Sequence, residues 1–191
     1  NGRNIKTSGC GVCSACMIVE NMLGLPLPVE EAAVMAVECG ARIEYGSDMV
    51  AMADELCRRY PLTYEMTNDA GRVLQFLKDK EGMVVANSGG NREGYTGVFT
   101  KGGHSIVLAE ANGRMVTVLD PNLYDGKFEE PGREGKVTVE GNLAFTKISV
   151  VAEDCSNRTP AYFLFRNAQL RRKACRHSAQ CRLTLCQEAG I

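Results

Sequence analysis

Ser8-Gly9-Cys10-Gly11-Val12-Cys13-Ser14-Ala15-Cys16-Met17-Ile18-Val19 is a glycine-bracketed turn that runs straight into an apolar segment. The segment reads as a helix over Val12 to Leu23, with Cys16, Val19 and Leu23 on its inward stripe and Gly24 as its stop. Cys10 is thereby set at a helix mouth. Unpaired N–H groups and the positive end of the helix dipole gather there, and both favour thiolate over thiol. A thiolate is the nucleophilic form of cysteine. The remaining question for the chain is whether it supplies a base.

Working outward, the first half reads as helical. Pro28 suits the first turn of a second helix, Val29 to Cys39, ended by Gly40. Ser47 reads as the N-cap of a third, Asp48 to Tyr60, and Asn68 as the cap of a fourth, Asp69 to Lys80. Leu62 to Met66 and Met83 to Ala86 are strand candidates. A long glycine-rich loop, Ser88 to Gly103, has no apolar period, and loops of that kind are functional or disordered. The second half turns to strands: His104 to Ala111, a turn at Asn112-Gly113, Met115 to Leu119, Lys136 to Val139, Phe145 to Val151 and Tyr162 to Phe165. Helices followed by antiparallel strands give an α+β class with segregated layers.

The 191 residues, 45% hydrophobic, suffice for one domain with a real core. We expect that domain over residues 1–166. From Arg166 onward six basic residues face one Glu, and residues 167–191 read as a basic tail, either a disordered extension or a non-native read-through. The formal net charge of −1 argues against nucleic acid and anionic membrane as partners. No apolar run approaches the roughly 18 residues of a membrane span. Nine cysteines at irregular spacing make a poor disulfide framework and point to a reducing compartment, with the cytoplasm as the leaning. The chain starts at Asn1 without Met, so secretion after loss of a leader stays open. Cys13 and Cys16 stand at i,i+3, but no second Cys/His pair has a zinc spacing, so no metal or other cofactor is expected.

Two histidines exist, and His177 lies in the tail, which leaves His104 as the imidazole of the body. It opens a strand after Gly102-Gly103, at a loop edge that exposes it to a cleft. Such a base needs a third group to fix its tautomer and stabilise imidazolium. Asp120 ends the strand that folds back on the one His104 begins; Asp-Pro-Asn turn chemistry is the other reading, and both can hold. Acyl transfer also needs oxyanion donors. The Cys10 N–H is one candidate and the Asn4 amide a second, against plain loop chemistry for Asn4.

Gly9-Cys10-Gly11 opening an apolar helix, Gly102-Gly103-His104-Ser105-Ile106-Val107-Leu108, and Val118-Leu119-Asp120-Pro121 together resemble the papain-like cysteine peptidases of the C39-like group, which process bacteriocin leaders or stand alone. The likeness spans about Asn4 to Phe165. It implies a papain-like α+β fold with the nucleophile helix packed on an antiparallel sheet. It also implies Cys10 as nucleophile, His104 as base and Asp120 as orienting group, acting on a peptide or protein substrate. Members usually carry Gln six positions before the nucleophile, where this chain has Asn4, and often Pro and Thr where it has Val12 and Cys13. Cys10-Gly11-Val12-Cys13 also looks like the opening of papain, which would make Cys13 the nucleophile. The functions open at this point are a cysteine peptidase, an acyltransferase or amidase using the same triad, and an inactive binding module that keeps the fold.

Overall fold

In the computed structural model of the chain, residues 9–44 and 46–170 are described. The helical half begins with α1 (Cys10–Leu23), two residues earlier than the apolar pattern suggests, because Gly9 supplies the first carbonyl: it accepts from the Cys13 N–H at 2.9 Å. Gly24 closes α1 in a left-handed conformation, φ 66°, where a side chain would be strained. Then follow α2 (Val29–Glu38), a small ribbon of β1 (Arg42–Ile43) and β2 (Gly46–Ser47), and α3 (Met49–Arg59). The cap of α3 is Asp48, not Ser47: its carboxylate accepts from the N–H groups of Val50 and Ala51. β3 (Leu62–Thr67) leads to α4 (Ala70–Lys78), which Asp69 caps by accepting from Gly71. The side chain of Asn68, the expected cap, instead accepts from the Ala161 N–H at 2.8 Å, tying the start of α4 to the last strand.

The remaining elements are β4 (Met83–Ser88), β5 (His104–Asn112), β6 (Met115–Leu119), β7 (Val137–Glu140), β8 (Leu143–Lys147), α5 (Ile148–Cys155) and β9 (Tyr162–Asn167). Seven strands make one antiparallel sheet in the order β3-β9-β4-β5-β6-β8-β7. The β5–β6 turn lies at Gly113-Arg114, since Asn112 still pairs with Met115. The expected strand Phe145 to Val151 is the end of β8 followed by α5, so one helix interrupts the strand-rich half. Its β-branched Ile148, Val150 and Val151 favour a strand locally. Burial of Ile148, Val151 and Cys155 at helical spacing overrides that preference.

Side chains alternate across the central strands and divide the interior in two. Val85, Val107, Phe163 and Phe165 face α1, α2 and α3. Val84, Ala86, Ile106, Leu108 and Leu164 face α4 and α5. Burial on both faces explains why Met83 to Ala86 is apolar without a break. Gly82, just before β4, has no room for a side chain: a Cβ there would stand 1.8 Å from the Phe165 carbonyl oxygen. Gly82→Ala must part β4 from β9 and is expected to lose about 1–3 kcal/mol of stability in a urea titration. A variant as stable as the parent would show that β9 can yield.

β9 runs through Asn167, so the first residue assigned to the tail belongs to the sheet. The tail beyond position 170, like Asn4, lies outside the described residues. Among the described residues no helix is long and apolar enough to cross a membrane.

Candidate active site

Cys10 is the first residue of α1. Gly9 before it offers no side-chain cap, and no acidic residue sits in the first turn, so among the described residues of that turn no side chain neutralises the positive helix end. The turn also lies hard against β2: a Cβ on Gly11 would stand 2.7 Å from Ser47 Cβ. Ser14 Oγ donates to the Ser105 carbonyl at 3.4 Å, fastening α1 beside the start of β5. Burial pushes the Cys10 thiol up. The hydrogen bond and charge of His104, with the backbone at Ser105 and Gly11, outweigh burial and hold it below the ordinary cysteine value.

His104 starts β5 and pairs across the ladder with Ser88 of β4. The glycine before it is a close approach: a Cβ on Gly103 would stand 2.7 Å from an Arg158 guanidinium nitrogen. His104 is buried rather than exposed to a cleft, with a side chain only 6% accessible. Its Nε2 lies 2.7 Å from Asp120 Oδ1, which leaves Nδ1 as the nitrogen available to the Cys10 sulfur. Burial disfavours the imidazolium, but Asp120 and Cys10 outweigh it and raise the His104 pKa.

Asp120 follows directly on β6. Pairing of Val107 with Leu119 brings it across from Ile106, two residues along β5 from His104. Its side chain is fully buried and fully engaged. Oδ1 accepts from His104 and from the Asn122 N–H at 2.9 Å; Oδ2 accepts from Lys127 Nζ at 2.6 Å. Burial raises its pKa, and His104 and Lys127 together more than reverse this. The Asn122 contact is an Asx turn, so turn chemistry and the His104 contact use one oxygen together.

The structure thus brings Cys10, His104 and Asp120 together. Cys13, one turn along α1, is half-buried, and burial and the neighbouring Cys10 push its thiol up. Cys16 is buried in the α1 core and pushed up to about 12, first by burial and then by Cys13. Asn4 lies outside the described residues. Among the described residues no group of three or more His, Cys, Asp and Glu side chains converges as metal ligands would.

Among the buried charges that sequence reasoning misses are Lys127 and Asp154. Lys127 sits in the loop between β6 and β7, where a lone lysine carries no pattern. Asp154 lies on α5, three residues past the stretch read as a strand, where a lone aspartate carries no pattern either. The one available signal is the helical spacing of Ile148, Val151 and Cys155. Asp154 anchors the glycine-rich loop, accepting from Ser88 Oγ, Tyr95 Oη and the N–H groups of Val98 and Phe99. A cleft of about 700 Å³ lined by Tyr124, Lys127, Phe128 and Val137 includes none of Cys10, His104 or Asp120.

No protein-family model and no curated protein matches the chain. Solved structures do. The peptidase domain of Streptococcus ComA, a bifunctional ABC transporter involved in a quorum-sensing pathway, superposes with a TM-score of 0.54 at 9% identity; 86% of this chain and 93% of that one are covered. A double-glycine-motif protease from an AMS/PCAT transporter, solved with its leader peptide, gives a TM-score of 0.48 at 14% identity over 87% of this chain and 88% of that one. At such identities a likeness speaks for architecture alone: the chain has the α+β, papain-like fold of the C39-like peptidase domains.

Proposed function

We propose that the protein is a cysteine peptidase whose nucleophile is Cys10, with His104 as its base and Asp120 as the group that orients the base. One observation carries the reading. A buried imidazole is held at 2.7 Å by a buried carboxylate and faces a cysteine at the N-terminus of α1. Each member moves the next in the useful direction: Asp120 favours imidazolium, and imidazolium favours thiolate.

The thiolate attacks the scissile carbonyl carbon and the carbonyl electrons move to oxygen. The Cys10 N–H in the first turn of α1 is one donor for that oxyanion, and the Asn4 amide is the proposed second. Collapse expels the amine, which takes the proton from His104, and leaves Cys10 as a thioester. His104 then accepts a proton from water as the water attacks the thioester; the C–S bond breaks, the acid leaves, and Cys10 returns as thiolate beside the His104 imidazolium. Cys10 is preferred over Cys13 because the charge of His104 acts on Cys10, while the Cys13 thiol is pushed up by burial.

Incubation with a diverse peptide library, read by mass spectrometry, tests the proposal. New termini that vanish with Cys10→Ala are expected. Transfer of the acyl group to an added amine, without free acid, would make the protein an acyltransferase. No turnover, with Cys10 alkylated by iodoacetamide no faster than Cys57 or Cys155, would leave a binding module. Burial pushes those two thiols up to about 11 and about 12.

A further inference from the structure

We propose that Lys127 is a positioning residue of the site: it clamps Oδ2 of Asp120 so that Oδ1 stays on His104, and it balances the buried charge of the triad. The proposal rests on the peptidase reading of Cys10, His104 and Asp120. Lys127 Nζ stands 2.6 Å from Asp120 Oδ2 and 3.1 Å from the Asn122 carbonyl oxygen, with its side chain 1% exposed. Its backbone is pinned as well. Its N–H donates to the Tyr124 carbonyl, and its own carbonyl accepts from the fully buried Arg133, which also donates to the Gly97 carbonyl of the glycine-rich loop.

Two arguments turn this contact into a role. A carboxylate held at one oxygen alone can swing about its bond to Cβ, whereas different donors at its two oxygens fix both its position and its plane. Catalytic groups misplaced by about 1 Å lose rate roughly a hundredfold. The second argument is charge. Thiolate, imidazolium, carboxylate and ammonium form a line of alternating sign with no net charge. Without the ammonium the same line buries a net negative charge, which is costly away from water. The charged neighbours facing this line are Cys10 on His104, and Arg133 and Asp154 on Lys127. Burial lowers the Lys127 pKa, and Asp120 opposes that shift.

The sign of the effect separates positioning from plain support. Lys127 draws part of the Asp120 charge away from His104, so removing the ammonium makes imidazolium more stable. The two histidines of the chain allow the His104 ring to be titrated by NMR, with His104→Ala assigning the signal. Lys127→Gln keeps a donor for Oδ2 and loses the charge; it is expected to raise the His104 midpoint by about 1 pH unit and to lower hydrolysis less than the Met variant does. Lys127→Met loses donor and charge together and is expected to lower hydrolysis roughly ten- to a hundredfold. Folded Gln and Met variants with an unmoved midpoint and unchanged hydrolysis would overturn the proposal. So would loss of the cooperative thermal transition in both, which would make Lys127 a structural residue. A raised midpoint in a protein that cleaves no peptide would keep Lys127 as positioning residue and remove the peptidase reading instead.

Discussion

His104→Ala is expected to cut peptide hydrolysis by roughly a thousandfold and to move the alkylation of Cys10 to alkaline pH. The reasoning follows the forces on the sulfur. Burial is the largest and pushes the thiol up; only His104 and two backbone contacts reverse it. Without the imidazole, burial prevails, and Cys10 joins Cys16, Cys57 and Cys155 among thiols that stay protonated at neutral pH. In the parent, iodoacetamide therefore reacts at Cys10 at a pH below the ordinary cysteine range, since a lowered thiol pKa keeps the thiolate to lower pH. In His104→Ala the rate rises only near or above the free-cysteine range of about 8.5. Mass-spectrometric mapping of the alkylated peptide across pH 5 to 9.5 checks this. A Cys10 profile that does not move would mean that the helix end activates the sulfur alone, and the base would then have to be sought elsewhere.

The grouping of Cys10, His104 and Asp120 is readable in the sequence because rare residue types mark the starts and ends of elements. A cysteine between two glycines opens a helix, the body holds one histidine, and a tight hairpin returns the chain past it. The α+β class is readable for a similar reason: helical spacing dominates before residue 80, and short apolar runs with a hairpin turn after it. Other features are not written locally. A buried lysine and a surface lysine look alike in sequence, so Lys127 shows only when the loop between β6 and β7 folds back on Asp120. The same holds for Asp154, which α5 hides. Capping is half-legible. A run such as Ser47-Asp48 or Asn68-Asp69 announces a helix start, but which side chain turns toward the N–H groups depends on where the chain arrives from. Asn68 is drawn off by Ala161 of the approach to β9, a partner 93 positions away.

Asp154 carries the largest effect on stability. Its side chain is fully buried and each oxygen accepts twice. Oδ1 takes Tyr95 Oη at 3.0 Å and the Val98 N–H at 2.6 Å; Oδ2 takes Ser88 Oγ and the Phe99 N–H at 3.2 Å. Its own carbonyl accepts from the Gly89 N–H at 2.7 Å, so both ends of the glycine-rich loop's inner turn converge on one residue of α5. Asp154→Ala strands two buried backbone N–H groups, whose acceptor among the described residues is Asp154, and is expected to cost about 3–5 kcal/mol. That corresponds to a fall in melting temperature of roughly 2–4 °C for each kcal/mol in a chain of this size. Asp154→Asn separates shape from chemistry. Ser88 and Tyr95 can turn their hydroxyls to accept from an amide, but Val98 and Phe99 cannot. Whichever way the amide is placed, its NH2 meets one backbone N–H. The Asn variant is therefore expected to lose about 1–3 kcal/mol, less than Ala. In both, hydrogen exchange at the Val98 and Phe99 amides is expected to accelerate before that of β4 and β5, because the loop opens while the sheet remains paired. An Ala variant within 1 kcal/mol of the parent, with those two amides still protected, would mean that the remaining ties, among them Arg133 to Gly97, Arg92 to Glu153 and Ser156, and Gly89 to the Asp154 carbonyl, hold the loop against the body.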